Sequence, residues 1–249
     1  MPATTPLVLL HPYPADATFW NRFRSALGGM REIITPEAPG FGTAAPEVGW
    51  TIASAADAVA MRIGTGAPHG VAYVMGLSMG GYTALALAAR HPERVSALIL
   101  ADARAEADDP ATRRARQDAA AVVADGGRDG YLSGLLPRLV AAGASSDVRD
   151  ELAACADRQS SDALIGALVA LAGRPDRRRE LAHLALPTLV VVGSEDLVTP
   201  PAAARVLADG IPDARLVEIS GAGHLTALER PHEVAEVVAG FLEGLPDRH

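Results

Sequence analysis

Six short apolar runs, separated by longer stretches with helical spacing, constrain the fold of this chain more than any other feature of its sequence. The runs occupy residues 7–11, 32–35, 71–75, 95–101, 189–193 and 215–220. Several are apolar throughout, as strands are when both faces of a parallel sheet are covered, whereas strands with one wet face alternate apolar and polar residues. The pattern predicts an α/β fold with a mostly parallel sheet of about six strands and helices on both faces.

The stretches between the runs predict helices over residues 16–27, 52–63, 79–90, 201–209 and 232–243. Residues 106–186 break the alternation, because they carry Ala, Leu, Arg and Asp at helical spacing and no convincing strand. We interpret residues 106–186 as a helical insertion between two strands of one sheet. A chain of 249 residues has the size of one α/β domain, so we expect residues 1–249 to form a single domain.

The third run leads directly into Gly76-Leu-Ser78-Met79-Gly80, and a helical stretch follows. A strand, Gly-x-Ser-x-Gly and a helix in this order are typical of a nucleophilic serine on a sharp turn. The flanking glycines let strand and helix approach each other closely. The N–H of Met79 would lie at the helix N-terminus, where unpaired donors favour a developing oxyanion. Ser78 is therefore the candidate nucleophile.

Serine needs a base, and the base needs an acid that fixes its tautomer. Among seven histidines, His224 follows the last strand in a glycine-rich loop, at the edge where open α/β sheets build their sites. Asp196 follows the fifth strand and is the first candidate for the acid. Its neighbour Glu195, and Asp102 at the end of the fourth strand, are the alternatives. The order Ser, Asp, His along the chain holds for Asp196 and for Asp102 alike.

Composition removes several classes of function. The net charge of -8 and the pI near 5.3 oppose binding to nucleic acid. All 22 basic residues are Arg, which excludes a pyridoxal Schiff base and a P-loop lysine. The single cysteine, Cys155, excludes an internal disulfide and a multi-cysteine zinc site. We expect no metal, no cofactor, no membrane-spanning segment, no secretory signal and a cytoplasmic location.

Across nearly its whole length the chain resembles the α/β-hydrolase superfamily, in particular its small capped esterases, lactonases and cofactor-free perhydrolase-like members. The matching segments are the loop at His11, Pro39-Gly-Phe-Gly42, the turn at Ser78, Gly193-Ser-Glu-Asp196 and Gly221-Ala-Gly-His224. The resemblance implies that the helical insertion is a cap over Ser78. The chain departs from larger members at its start: because Leu7 is only six residues from Met1, we expect their first two strands to be absent. Within the superfamily, halide- and epoxide-opening enzymes normally have a carboxylate at the position of Ser78, so the resemblance argues against both activities.

The resemblance further nominates the backbone N–H of Tyr13 as a second oxyanion donor. This chain departs from the family pattern by having Pro12 where glycine is usual. Proline cannot donate a hydrogen bond, but the nominated donor is the next residue.

These features predict a serine hydrolase that cleaves a carboxylic ester, a lactone or a related acyl bond of a small apolar substrate through an acyl-enzyme. Thioesters, peroxyacid chemistry and carbon–carbon cleavage stay open, as do the substrate-binding residues and the oligomeric state. The alternative is a noncatalytic or cyclase-like member that binds a small molecule. A third interpretation is an interaction module that uses the helical insertion.

Overall fold

A single sheet of six parallel strands forms the centre of the computed structural model, which describes residues 5–245. The strands are β1 (Leu7–Leu10), β2 (Ile33–Ile34), β3 (Ala72–Leu77), β4 (Val95–Ala101), β5 (Thr188–Gly193) and β6 (Arg215–Ile219), in the spatial order β2-β1-β3-β4-β5-β6. The predicted fold class is confirmed, and the strand bounds differ from the predicted ones by at most two residues. Residues 1–4 and 246–249, which the single-domain prediction included, lie outside the described residues.

Helices cover both faces of the sheet. They are α1 (Asn21–Leu27), α2 (Ile52–Gly66), α3 (Met79–Arg90), α8 (Pro201–Gly210), α9 (Thr226–Glu229) and α10 (Pro231–Glu243). Between β4 and β5 the chain forms α4 (Pro110–Ala124), α5 (Arg128–Leu135), α6 (Ser146–Asp157) and α7 (Ser161–Ala172). No residue from 106 to 186 belongs to a strand, so this segment, called the insertion below, has the helical character expected of it.

The start of the first predicted helix differs from expectation. Residues Ala17–Trp20 form a 3-10 turn, and the α-helix begins only at Asn21. The carboxylate of Asp16 accepts the N–H of Thr18, which caps the turn instead of a regular helix.

The two faces of the sheet belong to two separate apolar clusters. Val8 and Leu10 of β1 pack with residues of α2 and α3, whereas Leu7 and Leu9 pack with residues of α1 and α10. Successive strand side chains point to opposite faces, so a strand apolar at every position supplies both cores. This is the physical basis of the continuous apolar runs in the sequence.

The strand order reverses direction between β1 and β3, because β2 lies on one side of β1 and β3 on the other. Open α/β sheets bind ligands at the carboxyl edge beside such a switch point. The loop after β1 and the turn after β3 both lie there. No helix within residues 5–245 is long and apolar enough to cross a membrane.

Candidate active site

Ser78 occupies a sharp turn between the end of β3 and the start of α3. Its backbone angles are φ 53° and ψ −112°, an unfavourable conformation for a residue with a side chain. A Cβ at Gly76 would lie 2.1 Å from the carbonyl oxygen of Gly80, and a Cβ at Gly80 would lie 2.0 Å from that of Leu10. Both positions therefore require glycine, and the turn presents Ser78 at the carboxyl edge of the sheet.

The structure brings Ser78, His224 and Asp196 together in one chain of hydrogen bonds. Ser78 Oγ lies 2.7 Å from His224 Nε2, and His224 Nδ1 lies 2.8 Å from Asp196 Oδ2. The side chains of His224 and Asp196 are 2% and 0% exposed. An acceptor-only carboxylate beside Nδ1 places the proton on that nitrogen, which leaves Nε2 free to accept from the serine hydroxyl.

Asp196 is held in its ionised form by the donors around it. Oδ1 accepts the N–H groups of Val198 and Thr199, each at 2.8 Å, and Oδ2 accepts the hydroxyl of Thr199 at 2.7 Å. Burial raises the pKa of Asp196, but the hydrogen bonds from His224 and Thr199 outweigh it, so the pKa lies below its usual value. The carboxylate can therefore orient the imidazole of His224 and stabilise its charged form.

Neither alternative acid takes this position. Glu195 is exposed. Asp102 is fully buried, yet its Oδ1 accepts the N–H of Gly193 at 3.1 Å, and its Oδ2 accepts the N–H and hydroxyl of Thr226 at 3.0 and 2.7 Å. Burial, followed by the nearby charge of Asp196, raises the pKa of Asp102. Asp102 thus joins the end of β5 to the start of α9.

The loop after β1 is fixed by the buried ring of His11. Nε2 accepts the N–H of Ala38 at 3.0 Å, so the proton resides on Nδ1, which donates to the carbonyl of Pro12 at 3.1 Å. The same carbonyl accepts the N–H of Ala15 at 3.0 Å. Burial lowers the pKa of His11, in keeping with a neutral ring. In a trans peptide the C=O and N–H point in opposite directions, so holding the Pro12 carbonyl also fixes the N–H of Tyr13.

The insertion contacts the same edge of the sheet at several points. The hydroxyl of Tyr13 donates to that of Tyr131 in α5 at 3.1 Å. The carboxylate of Asp16 accepts from Arg158 at 2.9 Å and from Gln159 at 2.8 Å, and the amide oxygen of Gln159 accepts the N–H of Gly42 at 3.1 Å. The loops after β1 and β2 are thereby tied to the insertion.

A cavity of about 430 Å³ borders the turn, but Ser78 is not among the residues that line it. Its walls come from α2, from residues 35–45 and from the start of α3, including Met79 and Gly80. Ser78 itself is 9% exposed.

The sequence predicts the three hydrogen-bonded residues Ser78, His224 and Asp196, but not the residues that hold them in place. Thr199 follows Asp196 by three residues, and this spacing is typical of a local side-chain turn, so it carried a usable signal. The proton on His11 is placed by a hydrogen bond from Ala38, which is distant in sequence, and no local sequence pattern predicts that contact.

A family model described as alpha/beta hydrolase family matches residues 7–237. The chain belongs to this family. It is 31% identical to a pimeloyl-[acyl-carrier protein] methyl ester esterase of Neisseria meningitidis, over 98% of this chain and 79% of that protein. A thermophilic esterase of Thermogutta terrifontis is 31% identical with a TM-score of 0.91, over 97% of this chain and 90% of that one. An enol-lactonase of Burkholderia xenovorans LB400 is 27% identical with a TM-score of 0.82, over 96% and 92%.

These relatives confirm the predicted resemblance. They support ester hydrolysis by this chain and do not favour a noncatalytic or cyclase-like function.

Proposed function

We propose that the chain is a carboxylic ester hydrolase in which Ser78 is the nucleophile, His224 the general base and Asp196 the orienting acid. The single observation that carries the proposal is the unbroken relay, with 2.7 Å between Ser78 Oγ and His224 Nε2 and 2.8 Å between His224 Nδ1 and Asp196 Oδ2. Nucleophile, base and orienting group within hydrogen-bond reach are what acyl transfer requires.

In the first half-reaction Ser78 Oγ attacks the ester carbonyl carbon while His224 Nε2 takes the hydroxyl proton. The tetrahedral intermediate collapses as the bond to the alcohol oxygen breaks, and His224 returns the proton to the departing alcohol. In the second half-reaction His224 accepts a proton from water, whose oxygen attacks the acyl carbon. The carboxylic acid then leaves, and Ser78 regains its proton.

The oxyanion of each intermediate would be bound by the N–H groups of Met79 and Tyr13. Met79 is the first residue of α3, where helix N–H groups lack an intrahelical acceptor. The peptide that bears the N–H of Tyr13 is fixed through the Pro12 carbonyl. Each such donor can lower the barrier by about 3 to 4 kcal/mol.

The substrate that this site favours is a small apolar ester or lactone. The insertion lies at the carboxyl edge of the sheet, where it would cover Ser78 as a cap, and its buried residues are mainly Leu, Val and Ala. An esterase and a lactonase among the relatives support both bond types. The proposed reaction uses water together with side chains and backbone N–H groups of this chain.

The test is a panel of p-nitrophenyl esters of graded acyl length together with several lactones. We expect turnover by the wild type, and a loss of about 10⁴-fold or more in kcat for Ser78→Ala. Ser133→Ala, which changes an exposed serine of α5, is the matched control and should keep full activity.

A fluorophosphonate separates catalysis from mere binding, because only an activated serine reacts with it. The wild type should take up one equivalent, and Ser78→Ala none. A folded Ser78→Ala protein that still hydrolyses these esters at the wild-type rate would refute the assignment.

A further inference from the structure

Glu229, the last residue of α9, is a carboxylate of the site that the proposed reaction leaves without a role. Its Oε1 accepts the N–H of Gly223 at 3.0 Å and the N–H of Leu225 at 3.2 Å. Gly223 and Leu225 are the residues on either side of His224. One carboxylate oxygen therefore holds the backbone before and after the base.

The other oxygen of Glu229 reaches the insertion. Oε2 accepts the N–H of Ala141 at 2.8 Å, and Ala141 is buried. The same two segments also touch directly, because a Cβ at Gly223 would lie 2.4 Å from the backbone nitrogen of Ala141. The loop that carries His224 and the insertion thus meet at Glu229.

The loop that carries His224 is also anchored on both sides of these contacts. On the near side, the carbonyl of Ala222 accepts the N–H of Glu195 at 2.9 Å. On the far side, Asp102 accepts the N–H of Thr226 at 3.0 Å. Glu229 and Asp102 together hold the N–H groups of residues 223, 225 and 226.

We propose that Glu229 is a positioning residue that keeps His224 in line with Ser78 and couples that alignment to the insertion. This inference rests on the proposed function of His224. Glu229 accepts three backbone N–H groups, one from the insertion and two from the loop that carries His224. A carboxylate fits this environment because both of its oxygens only accept hydrogen bonds. A glutamine in its place must turn its NH₂ group toward one of these sides and break the contact there.

Substitution of Glu229 should therefore lower turnover and leave substrate binding unchanged. The imidazole meets the reacting atoms, so a displaced His224 slows proton transfer, and misplacement by about 1 Å can cost about 100-fold in rate. Glu229 itself contacts backbone groups at positions 141, 223 and 225. Its substitution should therefore leave KM largely unchanged.

The experiment compares Glu229→Gln with Glu236→Gln, an exposed glutamate of α10, as the matched control. We expect Glu229→Gln to lower kcat on a p-nitrophenyl ester by 10- to 100-fold with KM within twofold of the wild type, and Glu236→Gln to change neither. Thermal unfolding verifies that both variants fold. Should Glu229→Gln fail to fold, Glu229→Asp supplies the same comparison, because it keeps the charge but is too short to reach both sides.

A second readout does not depend on turnover. In ¹⁵N-histidine-labelled protein the Nδ1–H proton of His224, hydrogen-bonded to Asp196, should give a downfield signal that shifts or broadens in Glu229→Gln and stays unchanged in Glu236→Gln. A wild type without hydrolysis would count against the proposed function, while this signal would still test the role of Glu229. A folded Glu229 variant with wild-type kcat and an unaltered His224 signal would overturn the inference.

Discussion

Two buried aspartates lie close to the base, and the donors that each accepts separate their roles. Asp196 faces His224 Nδ1, whereas Asp102 accepts only from Gly193 and Thr226 among the contacts described. The sequence alone could not decide which of the two aspartates is the acid, because each follows a strand and both fit the order Ser, Asp, His. The difference arises from where the loops after β4 and β5 lie in space.

Exchanging each aspartate for asparagine should separate orientation of the base from support of the fold. Asp196→Asn leaves the shape intact but turns an NH₂ group or a neutral oxygen toward His224, so we expect kcat to fall by about 10⁴-fold with the unfolding temperature little changed. Asp102→Asn leaves one of its buried donors without an acceptor, which costs about 1 to 3 kcal/mol. Kinetics and thermal unfolding of both proteins measure these effects.

The opposite outcome would reverse the assignment. A folded Asp196→Asn protein with near wild-type kcat, alongside an Asp102→Asn protein that has lost activity at unchanged stability, would make Asp102 the acid.

At the scale of elements, the regular strands and helices follow from local patterns, but the loops that form the site do not. The continuous apolar run at Leu189–Val192 indicates a buried strand because strand side chains alternate between two cores. The turn at Ser78 could be predicted from the sequence because the backbone around Gly76 and Gly80 leaves no room for a Cβ, so both positions require glycine. In contrast, the contact of His11 with Ala38 and that of Glu229 with Ala141 join segments distant in sequence. Such contacts exist only once the topology has brought the loops together.

The loop after β1 offers a test of how backbone orientation supports the oxyanion site. His11→Asn keeps a donor near the position of Nδ1 for the Pro12 carbonyl, whereas His11→Gln keeps an acceptor near the position of Nε2 for Ala38. In His11→Gln the Pro12 carbonyl is held only by the N–H of Ala15. If the Pro12–Tyr13 peptide binds the oxyanion, His11→Gln should therefore lower kcat by about 10-fold, whereas His11→Asn should retain most of the wild-type kcat.

His11→Asn leaves the N–H of Ala38 without its acceptor and should lose about 1 to 3 kcal/mol of stability, whereas His11→Gln should lose less because the Pro12 carbonyl keeps its hydrogen bond from Ala15. Steady-state kinetics at matched folded fractions distinguishes the two effects. Equal values of kcat in the two variants would contradict a specific role for the Pro12 carbonyl contact.

At the scale of the whole molecule, the insertion and the sheet edge are joined through the buried carboxylate of Asp16. It accepts from Arg158 and Gln159 of the insertion and from the N–H of Thr18, while Gln159 continues the connection to Gly42. Burial raises the pKa of Asp16, but the hydrogen bonds from Arg158, Thr18 and Gln159 lower it by more. The pKa of Asp16 is therefore well below its usual value. The charge of one side chain therefore contributes to holding two parts of the chain together.

This lowered pKa makes the connection dependent on pH in a defined direction. A carboxylate with a folded pKa below its unfolded value of about 3.9 stabilises the protein above that value and loses this contribution as the pH falls through the folded pKa. We expect Asp16→Asn to lower the free energy of unfolding by about 2 kcal/mol at pH 7, because charge-assisted hydrogen bonds are lost. The gap between wild type and variant should narrow steadily as the pH falls below about 4. Denaturant unfolding at pH 7, 5, 4 and 3 measures it, with Asp118→Asn, an exposed aspartate of α4, as the control that should show no gap at any pH. A gap of constant size from pH 7 to pH 3 would mean that Asp16 acts through its shape and not through its charge.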